Sequence, residues 1–199
     1  MMRRLPLIPT LLVAAAVAVM IGLGIWQLQR ARWKDSLIAR YATAEKLPPI
    51  GWPNSPLRDA DLPLYRHATG LCLRVVGKRT VVGENAGGEP GYAHIADCAT
   101  GAEGPGMSVV LGWSKNPNAK TSWTGGLVSG IIAPDSLSRM RLVAATPAPG
   151  LQANAPPSLS AIPNNHRSYA VQWFAFALMA LVIYALAVRQ RLAKEPVKK

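Results

Sequence analysis

The chain contains few of the residue patterns that mark enzymes and redox proteins. Its 199 residues include only two cysteines, Cys72 and Cys98, so it has no pair of CxxC units to hold zinc. The GxSxG pattern of serine hydrolases, the HExxH pattern of zinc proteases and the GxxxxGK[ST] phosphate loop are also absent. We therefore predict that the protein is not an enzyme.

Acidic residues are scarce, with 10 Asp and Glu against 22 Lys and Arg, and the net charge is +12. Positive charge is densest in two short tails, around Arg3 and Arg4 and around Arg189, Arg191 and Lys194. A nucleic-acid-binding protein would instead cluster its basic residues on one folded face, so we predict no nucleic acid partner. Basic tails at both ends predict two cytoplasmic termini beside membrane lipid.

Two uncharged runs are long enough to cross a bilayer, which requires about 20 residues of helix. They predict transmembrane helices at residues 5–28 and 164–188, the second with its capping turn. The first run is longer than the apolar core of a signal peptide and continues into IWQLQRARWK, which favours an uncleaved anchor. A stripe of small residues at Ala14, Ala18 and Gly22 is expected to pack on the second helix at Ala177 and Ala180.

The remaining chain divides into four predicted parts: a cytoplasmic tail at 1–4, a helical extension outside the membrane at 29–47, a β-rich domain at 48–163 and a basic tail at 189–199. Short β-branched runs separated by glycine predict about six strands in the β-rich domain. A proline-rich connector from 146 leads back to the membrane. The predicted fold class is an α+β membrane protein, in which two transmembrane helices flank a small antiparallel sheet or partly closed barrel on the outer side.

Cys72 and Cys98 both fall in predicted strands. In an oxidising compartment they can form a disulfide, and two buried free thiols are the alternative. A thiol oxidoreductase is the least favoured function, because the spacing of the two cysteines lacks CxxC character.

His166 lies where the second apolar run begins, after Pro163 and two asparagines that can cap a helix. The positive end of the helix dipole disfavours imidazolium, and neutral imidazole is the form that binds a metal. Tyr169 and Trp173 share its helical face, against which a flat ligand could lie. Spacing alone favours the alternative, an interfacial histidine bonded to a loop carbonyl.

Trp26, Arg30, Trp33 and Lys34 follow the first apolar run. They form either an interfacial collar at the membrane surface or a surface that contacts a partner protein.

Three stretches together resemble the SURF1 family of cytochrome c oxidase assembly factors. These are the first span ending in GIWQLQR with Trp33 and Lys34 after it, the strand-rich middle beginning at Tyr65, and the second span opening with NHRSYAVQWF. Members of the family usually contain a run similar to VLVNRGWVP. The corresponding run of this chain is VLGWSKNP, which has the glycine and tryptophan, Gly112 and Trp113, but lacks the arginine before them.

The resemblance implies an inner-membrane protein that binds haem a and helps to insert it into subunit I of the oxidase. It also implies that His166 binds the haem iron, and Tyr169, Trp173 and Arg167 are then the expected neighbours of the haem. Subunit I, other oxidase assembly factors and the machinery of haem a synthesis are the implied partners. Since no organelle presequence precedes Met1, a bacterial inner membrane is expected.

Overall fold

The computed structural model describes residues 6–53, 55–101 and 106–194. The predicted tail at 1–4 and the last five residues of the predicted basic tail lie outside these ranges. The chain forms two compact units, one containing 1–37 and 163–199 and the other containing 38–162. The first unit contains most of the long helix α1 (Leu7–Glu45) and all of α2 (His166–Lys194).

Both helices are long and apolar enough to cross a membrane by length and composition. Many of their large apolar side chains are exposed, including Leu11, Val19, Val171 and Ile183. Exposed apolar surface of this extent is typical of a lipid-facing or partner-facing helix. The helices are therefore compatible with two membrane spans.

The described residues of the second unit form seven strands. They are β1 (Ile50–Gly51), β2 (His67–Cys72), β3 (Arg74–Glu84), β4 (Pro90–Ala99), β5 (Met107–Ser114), β6 (Gly126–Asp135) and β7 (Arg139–Ala144). The strands form one sheet in the order β1-β2-β6-β7-β5-β4-β3. Two short 3-10 helices occur at Asp59–Asp61 and Leu159–Ala161.

The prediction of an antiparallel sheet or partly closed barrel was wrong. The sheet is mixed, because β1 pairs parallel with β2 and β5 pairs parallel with β7, and it is open, with β1 and β3 at its edges. The long loop between β5 and β6 allows the chain to pass beyond the position of β7. The β6–β7 hairpin then returns beside β5 in the parallel direction. Turn residues mark where strands end, but they do not report which strands become neighbours.

The main core lies on one face of the sheet. Its largest fully buried members there are Met107, Ile132 and Leu142, and a smaller cluster around Ile95 and Val110 covers the other face. Cys72 of β2 and Cys98 of β4 are joined by a disulfide within the main core. Three strands separate β2 from β4 in the sheet order, so these two strands share no backbone hydrogen bonds as neighbours. The disulfide therefore adds a direct link between them.

The Gly-Trp pair of β5 has a structural role. Gly112 has a φ of 148°, and a Cβ there would lie 2.7 Å from the carbonyl oxygen of Gln152. Trp113 is 1% exposed, its Nε1 donates to the Gly83 carbonyl at 3.2 Å, and its ring fills the space that a side chain at position 91 would occupy. The pair therefore positions the connector against the end of β5.

Asp135 is the centre of a buried polar cluster at the end of β6. Its carboxylate accepts hydrogen bonds from Arg79 Nη2 at 2.7 Å and from the Ser138 hydroxyl at 2.6 Å, and its side chain is 2% exposed. Burial raises the pKa of Asp135, but the hydrogen bonds from Ser138 and Arg79 outweigh that effect and hold the pKa at about 2.

Replacing both cysteines, in a Cys72→Ser/Cys98→Ser variant, should destabilise the second unit. The disulfide closes a loop with a sequence separation of 26, and its loss should lower the free energy of unfolding by about 3 kcal/mol by relieving a constraint on the unfolded chain. Urea unfolding of the purified chain, followed by tryptophan fluorescence, measures the change. Equal unfolding midpoints for the wild type and the variant would contradict the stabilising role of the bond.

Asp135 should make stability depend on acid. A depressed folded-state pKa contributes stability that is complete above the unfolded-state value of about 3.9 and is lost as pH falls towards about 2. The Asp135→Asn variant should lose about 2 kcal/mol at neutral pH and show a weaker dependence between pH 4 and 2. Urea midpoints across this range test it, with Asp61→Asn at an exposed ion pair as the control. An unchanged acid dependence in Asp135→Asn would argue against this assignment.

Candidate functional site at the start of the second helix

His166 is the first residue of α2 and is partly exposed. The Asn165 carbonyl accepts the first helical hydrogen bond, from the Tyr169 N–H at 3.2 Å. The imidazole Nδ1 lies 2.8 Å from Oε1 of Gln27 on α1. A carboxamide oxygen only accepts hydrogen bonds, so with Oε1 in this position the contact requires a proton on Nδ1, and a neutral ring then has its lone pair on Nε2. This is the arrangement in which a histidine can bind a metal through Nε2.

A second contact between the helices involves Asp35. One carboxylate oxygen accepts from Asn164 Nδ2 and the other from Arg167 Nη2, both at 2.7 Å. The Asn164 side chain thus binds α1 and does not cap α2. Its Oδ1 is buried and has no hydrogen-bond partner within the described ranges. Asp35 therefore binds the chain on both sides of His166. The Asn164 Oδ1 atom is an unsatisfied acceptor close to the histidine.

The packing of the helix pair explains why Gln27 faces His166. Val17, Gly24 and Ala31 are the buried residues of α1, and they repeat every seven positions. A Cβ at position 24 would lie 2.6 Å from the Phe174 ring, so glycine allows α2 to approach there. Near the opposite ends of the helices, the hydroxyl groups of Thr10 and Tyr184 are hydrogen-bonded. These contacts run in opposite directions along the two helices, which makes the pair antiparallel.

The prediction that the stripe of small residues forms the contact between the helices was wrong. Ala14 and Ala18 are exposed, and a Cβ at Gly22 would meet nothing within 4 Å. A four-residue repeat drifts around a helix of 3.6 residues per turn, whereas a seven-residue repeat stays close to one face. On α2, Ala177 is buried as expected and Ala180 is only partly buried.

The aromatic residues expected beside His166 differ in exposure. Tyr169 is 48% exposed although Ala170, the next residue, is buried. Trp173 is partly exposed, and its ring meets that of Phe176 edge to face at a centroid distance of 6.2 Å. Tyr169 therefore lies at the border between the helix-packing face and the exposed face, one turn from His166.

Within the described ranges, no hydrogen bond, ion pair or ring contact joins Trp26, Arg30 or Trp33 to His166. Trp26 and Trp33 follow Gly24 and Ala31 by two positions, so they lie about 200° further around the helix than the buried residues. They are 53% and 49% exposed, and the Arg30 guanidinium lies 4.0 Å from the centre of a Trp33 ring. Lys34 is partly exposed. This exposed Trp-Arg face is separate from the histidine site.

His166 is a single potential metal ligand. Among the described residues, no group of three or more His, Cys, Asp and Glu side chains is arranged to hold a metal ion. The donor set suits a metal that brings its own equatorial ligands, as the iron of a porphyrin does, and needs one axial imidazole. The other two histidines belong to the second unit. His94 is buried, with Nε2 2.8 Å from the Ser114 hydroxyl, and burial lowers its pKa, while His67 is exposed.

Gln27 and Asp35 were missed as site residues. Gln27 lies within an apolar run, where a single amide carries little information. Asp35 had a clearer signal, because it is the only acidic residue in the first 44 positions and stands among basic residues. An isolated carboxylate in such a segment often has a specific partner.

Two comparisons with known proteins place these features in context. No curated protein matches the chain at a significant level. The model of the SURF1 family matches residues 14–178, which include both polar contacts between the helices and the whole sheet. Since the match covers most of the chain, the protein belongs to the SURF1 family, the family of cytochrome c oxidase assembly factors.

Proposed function

We propose that this protein binds haem a through His166 at the outer face of a bacterial inner membrane and helps to insert it into subunit I of cytochrome c oxidase. Membership of the SURF1 family supports the role in oxidase assembly. The observation that carries the haem-binding step is the Gln27–His166 hydrogen bond, because it engages Nδ1 of a partly exposed imidazole and leaves Nε2 as the nitrogen to bind a metal. Haem a is a cargo in this proposal.

The proposed orientation has both termini in the cytoplasm and the sheet unit in the periplasm. Arg189 and Arg191 follow the apolar part of α2, as the positive-inside rule requires of a cytoplasmic end. The antiparallel helices bring His166 to the opposite end of the pair. A disulfide between Cys72 and Cys98 favours an oxidising compartment for the sheet unit.

Each neighbour of His166 has a role consistent with this proposal. Tyr169 offers an exposed ring one turn from the imidazole, and Trp173 extends the apolar surface by another turn. Arg167 donates one Nη2–H to Asp35 and has further N–H groups that can bind a propionate. The pairing with Asp35 orders the guanidinium before any ligand arrives.

A single axial ligand suits transfer. A cargo held by one imidazole and an exposed apolar surface can leave by exchanging that imidazole for a histidine of the acceptor. Two strong protein ligands would oppose this exchange. The side chain of His166 is partly exposed, so an acceptor can approach it.

A second candidate function is that of a membrane-anchored scaffold that contacts oxidase subunits or other assembly factors without binding haem. The exposed Trp-Arg face of α1 favours it, since tryptophan and arginine are enriched at protein interfaces. The same chemistry also suits lipid headgroups. A thiol oxidoreductase receives no such support, because Cys72 and Cys98 are 1% and 2% exposed and are bonded to each other.

Removal of the imidazole should greatly weaken haem a binding. The full chain, purified in detergent from cells that make haem a, is expected to show a haem absorption spectrum, and His166→Ala should lose most of it. His67→Ala removes an exposed histidine of the second unit and is the matched control. Undiminished pigment in His166→Ala would reject His166 as the ligand. Absence of pigment from the wild type, together with co-purification of subunit I, would favour the scaffold.

Truncation of the Trp-Arg face should separate the two candidate roles. A Trp26→Ala/Trp33→Ala variant should retain its haem spectrum, because both rings lie away from His166, and should recover less subunit I on affinity purification. Ile25→Ala, at a 47% exposed apolar residue of the same helix, is the control. Equal recovery of subunit I from the wild type and the double variant would assign this face to lipid and not to the oxidase.

A further inference from the structure

The polar contact between Gln27 and His166 joins the two helices and engages Nδ1 of the imidazole. Gln27 is partly buried and lies within a long uncharged run of α1. A carboxamide in this position has few hydrogen-bond partners within its own helix. Its Oε1 is 2.8 Å from His166 Nδ1, whereas Gln29, two residues further on, is exposed.

We infer that Gln27 is a positioning residue that holds His166 in its Nδ1–H tautomer, so that Nε2 is the ligating atom, and that it tunes the electron density which the imidazole supplies to haem iron. The inference rests on the proposed function. The inference adds to that function a role for Gln27, which lies on α1, whereas the proposed ligand His166 lies on α2.

The hydrogen bond to Gln27 fixes the orientation of the imidazole ring. An imidazole attached to the first residue of a helix can rotate about two side-chain bonds, and one hydrogen bond to the neighbouring helix removes much of this freedom. The backbone near Gln27 is held by the close approach of Gly24 to Phe174, one turn away. The backbone near His166 is held by Asp35 through Asn164 and Arg167. Both ends of the hydrogen bond are thus fixed independently.

The same hydrogen bond also affects the basicity of the imidazole. An acceptor on the N–H opposite the metal raises the basicity of the coordinating nitrogen, and removal of such an acceptor commonly weakens metal binding by about 10-fold to 100-fold. A neutral amide gives a moderate effect, which suits a cargo that must be released. A carboxylate in its place would form a charge-assisted hydrogen bond and strengthen the ligand.

Two substitutions at one position should therefore act in opposite directions. Titration of the detergent-purified full chain with haem a should give about 10-fold weaker binding for Gln27→Leu and tighter binding for Gln27→Glu. The reduction potential of the bound haem should rise in Gln27→Leu and fall in Gln27→Glu relative to the wild type. Gln29→Leu, which removes an exposed amide from the same helix, should change neither quantity.

The ligand-free protein gives a second readout that does not require haem. With ¹⁵N-labelled histidine, the His166 signals should report a protonated Nδ1 in the wild type and a mixture of tautomers in Gln27→Leu. A purely structural role for Gln27 would lower stability without moving the reduction potential in opposite directions for the two variants.

The outcomes separate this inference from the proposed function. If His166→Ala abolishes haem binding while both Gln27 variants match the wild type in affinity, reduction potential and tautomer, the positioning role is rejected and the proposed function stands. If His166→Ala binds haem as the wild type does, the proposed function itself fails.

Discussion

The paired polar contacts between α1 and α2 are the constraint on which the candidate site depends. Gln27 holds the His166 ring, and Asp35 holds the chain before and after it. In an apolar environment such contacts are few, and each therefore limits how the two helices can rotate or slide against each other. Glycine at position 24 allows the close approach that brings these polar groups within hydrogen-bond distance.

The two units have different sources of stability. The helix pair buries few residues, and most of its large apolar side chains are exposed, so we expect its stability to depend on what covers that surface, whether a membrane or a partner. The sheet unit has its own core, a disulfide and a buried ionic cluster around Asp135. The proposed haem site lies on the helix pair, outside the unit that has these sources of stability.

Sequence patterns predicted the elements of the fold better than their arrangement. Apolar length identified both helices, and β-branched runs located most strands, since both signals are local. The parallel pairing of β5 with β7 was not predictable, because it depends on which strands become neighbours after a long loop. The interhelical stripe was predicted at Ala14, Ala18 and Gly22 and lies instead at Val17, Gly24 and Ala31. The sequence contains both the four-residue and the seven-residue repeat, and which of them forms the contact depends on how α2 packs against α1.

The candidate site shows the same limit. His166 was predicted as a site residue from its position at a helix start and from the family resemblance, but its hydrogen-bond partner Gln27 lies 139 residues away in the chain and was not predicted. The central claim is that a histidine nitrogen of this chain binds the iron of haem a. Pulsed electron paramagnetic resonance on the ferric haem complex of the full chain, grown with ¹⁵N-histidine, tests it most directly. We predict magnetic coupling between the iron and one labelled imidazole, absent from His166→Ala; a wild-type complex without any ¹⁵N coupling would contradict the account.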